Sequence, residues 1–175
     1  MSEENESKPV PKEIERKFLL KERLTPELLE HWSHKEKITQ GYLSRDIDKV
    51  IRIRIGWAPE IFHEVAYLTV KGRGEGAEGI SRTEIESRID VEKAKLLLDL
   101  FCGNVISKTR YKVKVGNHTW EIDRFHGVNE GLWIAEIELG SEDEEFELPS
   151  FVGTEVTHDP KYTNVRLVDH PFKDW

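Results

Sequence analysis

Glu13, Glu15 and Lys17 sit at i, i+2 and i+4 within the segment Glu13-Ile14-Glu15-Arg16-Lys17-Phe18. In a β-strand such residues point to one face, because side chains alternate with period two. The two carboxylates would stand about 6.6 Å apart. At an effective dielectric of about 20 they repel by roughly 2.5 kcal/mol. A fold gathers such a pair only against a counter-charge. A divalent cation supplies one, with Lys17 free to reach a phosphate.

The same parity holds along other segments. Arg52 and Arg54 share a face, with Ile51, Ile53 and Ile55 behind them. Lys71 stands opposite Leu68 and Val70. Arg82, Glu84 and Glu86 share a face, as do Lys108, Arg110, Lys112 and Lys114. Glu121 and Asp123 oppose Trp120 and Ile122, and Glu136 and Glu138 oppose Ala135, Ile137 and Leu139. For any one strand, the plain reading is a half-solvated sheet with its charges in water. Across all of them, faces built almost wholly of Asp, Glu, Lys and Arg favour an enclosed charged surface. Lys112, Lys114 and Glu121, nearer the strand ends, are expected as surface charges.

The elements that must position these residues follow from the alternation. Strands are predicted over 13–20, 38–44, 50–56, 65–72, 80–89, 106–115, 118–125 and 132–139. Gly116-Asn117 reads as a tight turn, and 72–79, rich in glycine, as a mobile loop. Thr25-Pro26-Glu27 predicts a helix to Trp32. Asp90 predicts a second, stopped by Gly103, with Leu96, Leu97, Leu98, Leu100 and Phe101 as its apolar face. Short helical turns are expected over 141–147 and after Asp159-Pro160. His31-x-x-His34 offers the best histidine spacing and is a poor metal site. If the strands close with charged faces inward, the fold is mainly β (α+β): an eight-stranded antiparallel barrel around a charged tunnel. A few helices cover its apolar exterior.

The chain has 175 residues, 34% of them charged, and a net charge of −8. That balance argues against a nucleic-acid binder. No apolar run reaches the length of a membrane span. Cys102 is the single cysteine, so no intramolecular disulfide forms. Residues 1–12 lack the pattern of a signal peptide and are expected to be a flexible tail. Residues 13–175 read as one domain of a cytoplasmic protein.

The ordered blocks resemble the CYTH superfamily, the triphosphate tunnel metalloenzymes. They are EIERKFL with its ExExK pattern at 13–17, QGYL at 40–43, RIR at 52–54, TVKG at 69–72, SRTEIE at 81–86, KTRY at 108–111, AEIEL at 135–139, and EVT followed by KYTN at 155–164. The resemblance runs from 13 to about 167 and is nearest to short, single-domain inorganic triphosphatases. It implies a metal-dependent hydrolase of triphosphates, cutting inorganic tripolyphosphate to pyrophosphate and phosphate. Lys17, Arg52, Arg54, Lys71, Arg82, Lys108 and Arg110 would hold the substrate. Glu13, Glu15, Glu84, Glu86, Asp123, Glu136 and Glu138 would hold Mg2+ or Mn2+. Glu13, Glu15, Lys17 and Lys108 would serve catalysis, and Lys161 would act at the tunnel mouth. Other readings stay open: an adenylate cyclase, a thiamine triphosphatase with Trp57 and Phe62 as an aromatic wall, or a non-catalytic polyphosphate or nucleotide sensor. The outward apolar faces permit a homodimer.

Overall fold

The computed structural model describes residues 12–21, 34–46, 48–75 and 80–175. The expected tail up to residue 11, the helix over 25–32 and His31 lie outside the described residues. The strands are β1 (Lys12–Leu20), β2 (His34–Ser44), β3 (Val50–Trp57), β4 (Glu64–Glu75), β5 (Ser81–Ile89), β6 (Ile106–Val115), β7 (His118–Phe125), β8 (Trp133–Glu138) and β9 (Val152–Glu155). The helices are α1 (Val91–Phe101) and α2 (Asn164–Asp169), with single 3-10 turns such as Pro160–Tyr162.

The sheet order is β5-β4-β3-β2-β6-β7-β8-β1-β9, and β5 also pairs with β1. β1 to β8 therefore close into an antiparallel barrel, as the alternation predicts. Closure happens on β1. Its start pairs with β5 through Lys12, Glu13 and Ile14, and its end pairs with β9 through Phe18 and Leu20. Followed round the wall, the pairing register advances by more than the length of β6. Strands so steeply staggered give a wide barrel with room inside.

Parity sorts the side chains. Phe18, Tyr111, Trp120, Ile122, Ala135 and Ile137 point outward and pack into a buried cluster. Phe146, Phe151, Leu139 and Val152, from the 139–152 segment, cover that cluster. The segment holds no helix at 141–147, only bends and a turn. Glu144 accepts hydrogen bonds there from the Gly140 N–H and from His118 Nε2, so acids engaged with the β7 start replace the expected helical turn.

α1 covers the outer face of β3 and β4. Ala94, Leu98 and Cys102 pack on Ile53, Ile55 and Ala66. Asp90 caps the helix through the Lys93 N–H. The approach to β2 is close: a Cβ on Gly41 would lie 2.6 Å from Cys102 Cβ. Only part of the expected apolar face is used, because Leu96, Leu100 and Phe101 stay 58–66% exposed.

β4 runs through Gly72, Arg73 and Gly74 to Glu75, with a register shift after Lys71. Residues 72–75 of the expected loop thus belong to the strand, and 76–79 lie outside the described residues. Asp159-Pro160 opens the 3-10 turn as expected, and α2 follows it. Gly116, at φ 58°, makes the β6–β7 turn, in the left-handed region that glycine enters freely.

At one end the inward positions turn apolar. Tyr42, Val50, Ile106, Phe125 and Ile134 meet Val165, Leu167 and Val168 of α2 in one buried cluster. The expected tunnel therefore has an apolar floor at that end. Among the described residues, no helix is long and apolar enough to cross a membrane.

Candidate active site

Above that floor lies a cavity of about 1200 Å3. The fold brings Glu13, Glu15, Lys17, Arg52, Arg54, Lys71, Arg82, Glu84, Glu86, Lys108, Arg110, Glu136 and Glu138 onto its wall. Six different strands contribute them, so the closed barrel and not any local loop assembles the site.

The charges interlock. Lys17 Nζ lies 2.8 Å from Glu15 and 2.5 Å from Glu136. Lys71 Nζ lies 2.5 Å from Glu13 and 2.9 Å from Glu84. Arg110 reaches Glu136 and, behind the wall, Asp123. Arg52 and Arg54 face Glu86 at 3.5 and 3.3 Å. Arg52 Nη2 donates to Thr69 Oγ1, which donates onward to Glu86.

Two donors stand apart from this pairing: Arg52 Nε and Arg54 Nε are buried without a hydrogen-bond partner. A buried guanidinium N–H left unpaired costs free energy, so it marks a place where an acceptor belongs. The two lie on one strand face, at i and i+2, and together point to an anion with several oxygens.

The acids split by environment. Burial pushes the Glu15 carboxyl up, and Glu136 adds to it, to about 8 in spite of Lys17. Burial also opposes ionisation of Glu136, but Lys17 and Arg110 outweigh it and hold Glu136 well below the usual carboxylate range. Glu136 is thus the ionised partner and Glu15 the one that keeps its proton. Burial raises Glu84 and Glu138 as well. Burial works against Glu13 too, yet Lys71 and its hydrogen bonds bring that carboxyl down.

This oxygen-only donor set has the chemistry of a hard-cation site. Glu15, crowded by Glu136, is the carboxyl that a cation would relieve of its proton. Among the described residues, however, no three such groups already stand close enough together to hold an ion. Lys17 and Lys71 sit between them as counter-charges.

Four expected residues are placed differently. Asp123 has 0% exposure and does not line the cavity. It anchors Lys108 at 2.5 Å and Arg110 at 2.7 Å from behind. Inward parity put it beside the acids, but its short side chain stops beneath the longer bases. Lys161 is exposed, its Nζ 3.8 Å from the centre of the Trp175 ring, and is not on the cavity wall. Its 3-10 turn contributes Pro160 instead. Trp57 and Phe62 lie outside the cavity; Phe62 is 86% exposed.

Others join that the charge pattern missed. Lys112 and Glu121, expected at the surface, line the cavity 2.9 Å apart. The steep strand tilt brings their level inside. Tyr42, His118, His158, Thr157 and Asn164 also line it. Tyr42 carried a signal, since it shares inward parity with Gln40 on β2. Thr157 and Asn164 fall within the EVT and KYTN blocks, whereas His118 and His158 carried no signal in the charge pattern.

Known proteins are similar to this chain in sequence and fold. The CYTH domain family matches residues 11–164. An inorganic triphosphatase of Acetivibrio thermocellus is 42% identical over 165 residues, which is 94% of this chain and 97% of that protein. The structure of the inorganic triphosphatase NE1496 superposes with a TM-score of 0.58 at 30% identity, covering 89% of this chain and 93% of that one. The PH1819 protein of Pyrococcus horikoshii superposes with a TM-score of 0.55 at 29% identity, over 75% and 80% of the two chains. A closed barrel lined by the ordered charge blocks, matched along almost its full length, places this chain in the CYTH domain family.

Proposed function

We propose that this protein is a divalent-metal-dependent hydrolase that cuts inorganic tripolyphosphate to pyrophosphate and phosphate. The pair of buried, unpartnered Nε donors on Arg52 and Arg54 carries the reading, because a polyphosphate chain supplies the acceptors they lack. The A. thermocellus relative, named an inorganic triphosphatase, supports the choice of substrate.

Arg52, Arg54, Arg82 and Lys71 hold phosphate oxygens along the wall, and Lys17 and Lys108 hold them deeper in. Glu13, Glu15, Glu84, Glu86, Glu136 and Glu138 would hold Mg2+ or Mn2+. When bound, the cation offsets phosphate charge and lowers the pKa of water. Water attacks the terminal phosphorus in line, its bond to the bridging oxygen breaks, and pyrophosphate leaves. Lys17, Arg52 and Arg54 offset the charge that grows on the transferred group. Asp123 keeps Lys108 and Arg110 aimed inward. No covalent intermediate is required.

A phosphate-binding sensor needs bases and little else, whereas eight acidic residues also line this wall. A cyclase or thiamine triphosphatase needs a wall for a ring system. Among the described lining residues there is no stacked aromatic pair to serve one. A cytoplasmic setting fits the reading, with Cys102 a buried free thiol. The test is phosphate release from tripolyphosphate, ATP and thiamine triphosphate side by side, with cyclic AMP assayed in parallel. Tripolyphosphate is expected to be turned over at least tenfold more efficiently than the others. Preference for ATP with cyclic AMP as product would replace this reading with a cyclase.

A further inference from the structure

Tyr42 stands where the charged wall meets the apolar floor. Its ring belongs to the cluster of Val50, Ile106, Phe125, Ile134 and Val165, while the residue also lines the cavity. It is 5% exposed, and Gln40, on the same inward face, is 1% exposed. Gln40 Nε2 donates to the Tyr42 hydroxyl at 2.9 Å. That bond occupies an acceptor position of the phenol oxygen and turns its one proton elsewhere. Tyr42 pairs directly with Arg52 across β2 and β3, and Gln40 with Arg54.

We propose that the Tyr42 hydroxyl is a further substrate-binding group, donating a hydrogen bond to an oxygen of the phosphoryl group nearest the floor, and that Gln40 is its positioning residue. The inference rests on the polyphosphate reading of the site and names a member of its cradle that the charge pattern does not include. Most cations of the wall reach an anion only by loosening an ion pair: Lys17 from Glu136, Lys71 from Glu13, Lys108 from Asp123. The phenol has no such competitor. With Arg52 Nε and Arg54 Nε it forms a set of donors on two neighbouring strands that hold no acceptor of their own. Burial raises the phenol, to about 12, so it stays a neutral donor in ordinary buffers. A neutral donor tightens the grip on phosphate without adding to the repulsion among bases.

Two features hold the pair in place. The outer side of Gly41, between them, takes α1 at van der Waals contact, which fixes the height of β2. The ring packs in the cluster that Val165, Leu167 and Val168 of α2 complete. The hydroxyl therefore has little freedom beyond rotation of its proton, which Gln40 directs.

The test compares wild type with Tyr42→Phe, Gln40→Met and the double variant, using tripolyphosphate with Mg2+. Tyr42→Phe deletes one oxygen, and the double variant also removes the buried amide donor it would leave unpaired. Because the contact exists in the bound ground state, KM is expected to rise about 5–20-fold with kcat changed less than about threefold. Gln40→Met is expected to raise KM about threefold alone and to add nothing in the Tyr42→Phe background. An unchanged KM in Tyr42→Phe and the double variant, or effects that multiply, overturns the proposal. Thermal stabilisation by tripolyphosphate in chelator separates this from failure of the function itself. If wild type does not turn over tripolyphosphate, the hydrolase reading falls. The subsite then stands only if tripolyphosphate stabilises wild type more than Tyr42→Phe, and equal shifts overturn it.

Discussion

Lys108 and Asp123 face each other across β6 and β7 inside the wall, Nζ to Oδ2 at 2.5 Å, with side chains 2% and 0% exposed. Burial and then Arg110 lower the Lys108 amine, while Arg110 and Lys108 outweigh burial to keep Asp123 below its ordinary value. The pair works as one unit. Asp123 is the fixed counter-charge that lets two bases stand side by side on the cavity wall.

Asp123→Ala is therefore expected to strand both cations. Breaking a buried pair at one end costs about 3 kcal/mol or more, a fall in Tm of roughly 6–12 °C for a chain of this size. Calorimetry on Asp123→Ala, Lys108→Met and the double variant checks it. The double variant should recover part of the loss. A loss equal to the sum of the singles would show that the pair is not coupled.

Glu13→Gln and Glu15→Gln keep the volume and remove the charge. Each is expected to lower kcat with tripolyphosphate by 100-fold or more while leaving the fold intact. Circular dichroism and phosphate release, measured together, check this. Full activity in either variant would remove that carboxylate from the mechanism.

pH offers an independent view of Glu15. Its folded pKa, about 8, lies above the ordinary carboxylate value of 4.5. A raised carboxyl contributes stability that is present below the unfolded pKa and lost as pH rises through the folded one. In chelator, Tm is expected to fall between about pH 5 and 8, and Glu84 and Glu138, also raised, add in the same direction. Glu136 and Asp123, both lowered, contribute fully above pH 4.5 and do not alter that slope. Glu15→Gln should flatten much of it. Mg2+ should oppose it, because a cation replaces the proton. A Tm that rises over this range in chelated wild type would contradict the assignment.

Arg52→Ala and Arg54→Ala test the cradle. Each removes an unpaired buried donor and a charge. The expected result is a KM for tripolyphosphate at least tenfold higher and a smaller stabilisation by the ligand. An unchanged ligand shift in both would place the substrate elsewhere.

The barrel was legible because its inner face is charged and its outer face apolar. Alternation along Ile51 to Ile55 or Lys108 to Val115 therefore marks both the strand and the side that faces in. Strand ends were less legible: β2 begins at His34, where Lys35 and Lys37 dilute the apolar signal. β9 and the α2 floor escaped because four strand residues and a six-residue helix carry too little periodicity. Depth escaped as well. Parity assigns Asp123 and Glu121 to the same face, yet the short Asp123 side chain stops beneath the bases while Glu121 lines the cavity. Tyr42 lies within the block QGYL, but as a neutral donor it leaves no mark in the charge pattern.

The most direct test is a phosphorus NMR time course of tripolyphosphate with the protein, Mg2+ and, in parallel, EDTA. The substrate signals are expected to give way to pyrophosphate and phosphate in equal amounts, EDTA to stop the conversion, and added Mg2+ or Mn2+ to restore it. No conversion with Mg2+, or conversion that continues at full rate in EDTA, would contradict the metal-dependent hydrolase reading.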